Sequence, residues 1–304
     1  MKTLTILDGG MGRELKRLGA PFSQPLWSAQ ALIESPNYVK EAHQNFIDAG
    51  AEIIIANSYA CVPFHLGAER YQTEGAKLAR EAAAIANSVA QKNNDKGSPL
   101  VRVAGSIPPA FGSYRPDLFE ENQAREIVET LYHAQDPHVD LWIAETIASI
   151  QEFEVIHEVL KHSSKTCYYA FSLQDELTCE AKLRSGQSVK SATAMICSSH
   201  CEGIFFNCSV PEVMEQAISD AKEVIERFGL TIEIGVYANN FSPIQADHQA
   251  NDILQSMRQL SPTEYLSYAK HWRQLGATII GGCCGIRPDH IEALTDWRNS
   301  LEES

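Results

Sequence analysis

Three cysteines stand out by type and spacing. Cys208 ends the run "GIFFNC" (203–208), and Cys283 and Cys284 sit side by side in "ATIIGGCCG" (277–285) with glycines on both sides. Adjacent cysteines do not readily bridge to each other, and neighbouring thiols without a task are a hazard. Metal ligation would be such a task. Three thiolates form the protein part of a tetrahedral zinc site, with Zn–S bonds of about 2.3 Å, and leave a fourth position open, as catalytic sites do. The flanking glycines let the backbone turn close to an ion. The competing reading is three buried core thiols, a common state for cysteine. Asp8 and Glu145 also end apolar runs, in "TLTILD" and "VDLWIAE". Asp8 could bind a substrate group or merely cap its turn.

Elements far apart in the chain must bring these residues together. β-rich runs occur at 3–8, 52–58, 101–106, 139–145, 167–173, 203–208, 232–238 and 277–282. Several are apolar at consecutive positions, as parallel strands buried on both faces are. Helical patterns lie between them at 35–50, 74–93, 121–135, 149–163, 188–201, 211–229 and 261–276, and a last one closes the chain. Ser35 is the expected N-cap of the first and Gly50 its stop; Pro211 and Gly229 bound the sixth. Ser261 and Glu264 predict a capping box. Strand–helix units repeated in this order read as one α/β domain over residues 1–304, a single (β/α)8 TIM barrel. Such barrels carry their reactive groups at the C-terminal ends of the strands. Asp8, "ANSY" (56–59), Glu145, Cys208, "VYANN" (236–240) and Cys283/Cys284 all fall there. Two long segments, 106–122 and 239–262, are expected as loops or insertions, the first covering one end of the barrel.

Composition narrows the partners. With 39 acidic and 25 basic residues the formal net charge is −14. That argues against a nucleic-acid partner and against docking on anionic lipid. No apolar run approaches the roughly 20 residues that span a bilayer, and the first residues lack the pattern of a signal peptide. A cytoplasmic location is expected. The 8 cysteines then read as thiols or metal ligands. The oligomeric state is not legible, since no dimerisation arm is recognisable.

The segments "LDGGMGRELKRLG", "ANSY", "AET", "FNCS", "VYANN" and "IGGCCGIRPDHI" resemble, in order, the motifs of the homocysteine S-methyltransferase family. The resemblance runs from the first strand to the last. It implies Zn2+ on Cys208, Cys283 and Cys284, homocysteine as acceptor and methionine as product. It also implies that Asp8 and Glu145 hold the homocysteine ammonium. The backbone at Gly9 and Gly10 would approach the substrate carboxylate, and Asn207 would orient Cys208. "PLWSAQAL" (25–32) is similar to the branch that uses S-methylmethionine. Trp27 could face the donor's onium centre or anchor its loop; Asn57 and Ser58 could line the pocket or serve the turn. The length leaves no room for folate or cobalamin domains, so a small onium donor is implied. Betaine enzymes commonly carry an aromatic beside the strand-four glutamate. Thr146 stands there, which favours a sulfonium such as S-methylmethionine or S-adenosylmethionine. Ile286 and Arg287 depart from the small hydroxyl residues of many members.

Other readings remain. A non-catalytic zinc- or thiol-binding barrel would bind metal without methyl transfer, and another thiol or selenol could be the acceptor. "CSSHC" (197–201) is a rival metal cluster, although His200 would point off the face that carries Cys197 and Cys201. "GGMG" lacks both the GxGxxG spacing and the lysine of a phosphate loop.

Overall fold

A computed structural model describes residues 3–97, 99–243 and 256–302. Its strands are β1 (Thr5–Ile6), β2 (Ile53–Ile55), β3 (Arg102–Ile107), β4 (Leu141–Ile147), β5 (Cys167–Phe171), β6 (Gly203–Asn207), β7 (Glu233–Tyr237) and β8 (Ile279–Ile280). They form one 8-stranded parallel sheet in the order β1-β8-β7-β6-β5-β4-β3-β2. A parallel bridge between Leu7 and Ile53, together with the Asp8 N–H donated to the Ile53 carbonyl at 3.0 Å, closes the ring. The expected (β/α)8 barrel is the observed fold.

The outer helices are α1 (Pro36–Asp48), α2 (Ala76–Asn94), α3 (Glu121–Gln135), α4 (Ile150–Leu160), α5 (Val189–Ser198), α6 (Met214–Phe228), α7 (Pro262–Leu275) and α8 (Pro288–Glu302). Each lies inside or within a residue of its expected segment. Local chemistry explains most ends. Ser261 and Glu264 form the reciprocal capping box of α7, with 2.8 Å and 3.3 Å bonds. Gly229 stops α6 in the left-handed region at φ 65. Two expected caps differ. Ser35 precedes α1 but makes no side-chain cap bond; Pro36 at the first turn carries the start instead. Pro211 opens a 3-10 turn, Pro211–Val213, before α6 begins. Short helices at Met11–Arg17, Ala29–Glu34 and Pro63–Leu66 fill the loops after β1 and β2. They are too short to produce a clear periodic signal.

The apolar runs split by strand period into two cores. Leu7, Ile53, Ala104, Leu141, Ile143, Tyr168, Ala170, Phe205, Tyr237 and Ile279 pack inside the barrel. Their neighbours, such as Ile204 and Phe206, face the helices. Consecutive apolar residues in "GIFFN" therefore both have a place. Phe205 is fully buried and stacks on Tyr168 at 4.5 Å; burying such a ring contributes about 2–3 kcal/mol. The 106–122 loop carries a 3-10 turn at Pro116–Leu118 and bends back over the strand ends. Of the 239–262 segment, residues 244–255 lie outside the described residues, and Phe241 bridges Met257 on either side. Among the described residues no helix is long and apolar enough to cross a membrane.

The turn after β1 packs against the turn after β8. Gly10 donates its N–H to the Ile286 carbonyl at 2.9 Å, and a Cβ on Gly10 would lie 2.6 Å from the Cys283 carbonyl oxygen. Ile286 is fully buried and fills the space beside Gly282, while Arg287 pairs outward with Asp289. A Gly10→Ala substitution therefore forces backbone apart. It is expected to lower stability by about 1–3 kcal/mol, read as a lower urea midpoint; an unchanged midpoint would contradict this packing.

Candidate metal centre and substrate cleft

β6 and β8 deliver the three sulfurs. Cys208 follows β6 directly, takes a positive φ of 49, and donates its N–H to the Tyr237 carbonyl at 3.2 Å. Cys283 donates its N–H to the Ala238 carbonyl at 2.8 Å, and Asn240 donates to the Cys284 carbonyl at 2.8 Å. The end of β7 thus laces the two cysteine turns together. The ligand atoms of Cys208, Cys283 and Cys284 all lie within 4.8 Å of one another, and the Cys283 and Cys208 sulfurs are 2.8 Å apart. A tetrahedral ion with 2.3 Å bonds needs its sulfurs roughly 3.8 Å apart. Small side-chain rotations therefore fit this all-sulfur donor set to zinc. Hydrogen bonds from Cys283, Cys284 and Tyr114 hold the Cys208 thiol well below its ordinary range, against the opposing effect of burial. The same bonding to Cys208 pushes the Cys283 and Cys284 thiols up.

Beside the sulfurs lies a cleft that opens to solvent. Asp8 and Glu145 line it at 2% and 8% exposure. Asp8 Oδ2 accepts the Ile55 N–H at 2.8 Å. Glu145 accepts from the Ser106 hydroxyl at 2.6 Å and the Tyr237 hydroxyl at 3.4 Å. Burial dominates both carboxyls: Asp8 is raised well above its ordinary value, and Glu145 is pushed up to about 7. Trp27, Tyr59, Tyr114, Tyr237 and Phe241 supply aromatic walls, and no lysine or arginine is among the described residues that line the cleft.

The sequence-derived candidates divide. Asp8, Gly9, Trp27, Asn57, Glu145, Cys208, Cys283 and Cys284 meet at the cleft. Ser58 does not line it: its buried hydroxyl is donated to Gln135 Oε1 at 2.8 Å. Gln135 also grips both backbone groups of Ser106, and so aims the Ser106 hydroxyl at Glu145. Asn207 is fully buried and does not line the cleft. Its amide bonds the Thr146 N–H and hydroxyl, both at 3.0 Å, and holds that β-branched residue at φ 58. Gly10 N–H, committed to Ile286, is not free for a carboxylate. The rival "CSSHC" residues form no cluster of metal-ligating atoms among those described; Cys197 and Cys201 are buried and His200 is exposed. Tyr114, Ser106, Gln135 and Phe241 were missed. Tyr114 and Phe241 lie in the two long loops, where no periodicity marks a position. Gln135 ends a helix as an ordinary polar residue.

The raised carboxyls set a pH dependence. Glu145 and Glu152 both sit near 7 in the folded chain, mainly through burial, against 4.5 when free. Folding therefore binds protons, so their stabilisation is complete below about pH 4.5 and is lost as pH rises through about 7. The Glu145 share is on the order of 3 kcal/mol. In metal-free protein, Glu145→Gln is expected to flatten the fall in urea-denaturation stability between pH 5 and 8. Parallel wild-type and variant curves would refute this.

The profile of the family described as homocysteine S-methyltransferase matches residues 5–297. A protein named homocysteine S-methyltransferase 4, from Zea mays, is 26% identical over 317 residues, spanning 95% of this chain and 87% of its own. A selenocysteine methyltransferase from Astragalus bisulcatus is 26% identical, spanning 95% of this chain and 90% of its own. Among solved structures, the metallated form of the homocysteine methyltransferase MmuM from Escherichia coli superposes with a TM-score of 0.77. Its identity is 24%, and the match covers 97% of this chain and 96% of that one, a likeness that speaks for the barrel. With the profile matched from the first strand to the last helix, this chain belongs to the homocysteine S-methyltransferase family.

Proposed function

We propose that this chain transfers a methyl group from a small onium donor to the thiol of homocysteine, giving methionine, with zinc held by Cys208, Cys283 and Cys284. S-methylmethionine or S-adenosylmethionine is favoured over betaine as the donor. The observation that carries the reading is the cleft itself. It joins a three-sulfur donor set to two buried carboxylates and aromatic walls, with no lysine or arginine in the described lining. Acidic groups in a cleft whose described lining holds no lysine or arginine favour cationic ligands. An amino-acid ammonium and an onium centre both answer that description.

Zinc, when bound, would supply the Lewis acidity that keeps an incoming thiol deprotonated at neutral pH. The chain's own residues do the rest. Asp8 and Glu145 hold the substrate ammonium, and that cation favours their charged forms. Ser106 and Tyr237 fix the Glu145 oxygens. Trp27 faces the cleft, packed on Phe22 at 5.0 Å, where its ring can meet a cation. Asn57, anchored to the Ser28 carbonyl at 3.2 Å, lines the same wall. The thiolate sulfur takes the methyl carbon, and the bonding electrons leave with the donor as a neutral thioether or amine. No general acid is needed. Thr146 in the lining, in place of an aromatic, supports a sulfonium donor.

The test is a donor screen on zinc-loaded protein, with methionine formation as the readout. Methionine is expected with a sulfonium donor, slower formation with betaine, and loss of activity on chelation that added zinc restores. Replacing Glu145 by Gln is expected to raise KM for homocysteine by about tenfold or more. No methionine with any donor, or clear preference for selenocysteine over homocysteine, would overturn the assignment.

A further inference from the structure

Cys208 takes a hydrogen bond from outside the sulfur trio. The Tyr114 hydroxyl lies 3.0 Å from Cys208 Sγ and 3.1 Å from the Cys208 carbonyl oxygen. Both residues are held in the left-handed region, Tyr114 at φ 65 and Cys208 at φ 49, where bulky side chains rarely sit. Their surroundings over-determine them. Ser113 bonds the Tyr59 hydroxyl at 2.6 Å, which pins the loop. The Arg184 guanidinium lies over the Tyr114 ring, 4.7 Å from its centre. Arg184 pairs with Asp175 at 3.0 Å in a bridge whose side chains are 6% and 1% exposed. Asp175 then accepts the Val210 N–H at 3.0 Å, two residues beyond Cys208. The contacts run from the Cys208 turn through Asp175, Arg184 and Tyr114 back to the Cys208 sulfur.

Among the described residues, the side-chain hydrogen bonds of Cys283 and Cys284 stay within the sulfur trio. In the proposed reaction an alkylating onium centre approaches several sulfurs, and only the substrate's should take the methyl. A hydrogen bond to a thiolate engages a lone pair and lowers its nucleophilicity. We propose that Tyr114 is a positioning residue that shields Cys208 from alkylation, so that this sulfur does not compete with the incoming thiol for the methyl group. This rests on the zinc-thiolate reading above. Loss of the hydroxyl would expose Cys208 without removing it as a ligand.

The experiment compares the zinc-loaded full chain with its Tyr114→Phe variant, without homocysteine, during exposure to iodoacetamide. A cysteine sulfur displaces iodide and forms an S–C bond, which peptide mass spectrometry quantifies at each site. Cys208 is expected to be labelled about tenfold faster in the variant, relative to Cys283 in the same sample. An unchanged Cys208-to-Cys283 ratio overturns the proposal. So does a rise common to all three sulfurs, which reports a loosened fold. Zinc content of the wild type is measured first. A wild type that binds no zinc refutes the metal reading and the shielding with it, whereas a zinc-bound pair with equal ratios refutes the shielding alone.

Discussion

Negative charge crowded into a half-dry cleft is the constraint on which this site depends. Hydrogen bonding favours the charged form of the Cys208 thiol, and Cys208, Asp8 and Glu145 are all buried. None of the described cleft residues is a lysine or arginine. Burial resists this charge, which is why both carboxyls rise above their ordinary values. In the proposed reaction that resistance is relieved by cations: a metal among the sulfurs and a substrate ammonium between the carboxylates. Binding and ionisation are therefore coupled, and the protein is least comfortable when the cleft is empty at high pH.

The barrel places these groups through turns that few sequences tolerate. Glycines at 9 and 10 let the β1 turn press on the β8 turn. Thr146 and Cys208 accept left-handed backbone at the ends of β4 and β6, and Asn207, the last residue of β6, bonds Thr146 while its successor in the chain is Cys208 of the candidate metal site. Strain of this kind persists where neighbouring contacts hold it in place. It accounts for the short distance between side chains from separate strands, and it makes Asn207 a determinant of the turn at Thr146.

Much of this was legible in the residues. Eight apolar runs of strand length, each followed by a helical period, leave little choice of fold, and a barrel then forces strand-end residues onto one mouth. Cys208 and Cys283, 75 residues apart, meet for that reason. The supporting contacts were not legible. Asn207 was expected to orient Cys208, and Ser58 to line the pocket or serve its turn, yet neither lines the cleft, since neighbours near a strand end point in different directions. Tyr114 sits in a Pro- and Gly-rich loop, whose path is set by tertiary contacts with Arg184 and Tyr59 and not by local pattern. Ile286, a departure from the family pattern, proves to be packing beside Gly282 and lies outside the cleft lining.

The most direct test of the central claim is X-ray absorption at the zinc edge, on loaded protein with and without homocysteine. Sulfur scattering from three ligands at about 2.3 Å with one lighter neighbour, becoming four sulfurs on addition of homocysteine, is the predicted result. Fewer than three sulfurs, or a shell unchanged by saturating homocysteine, would contradict it.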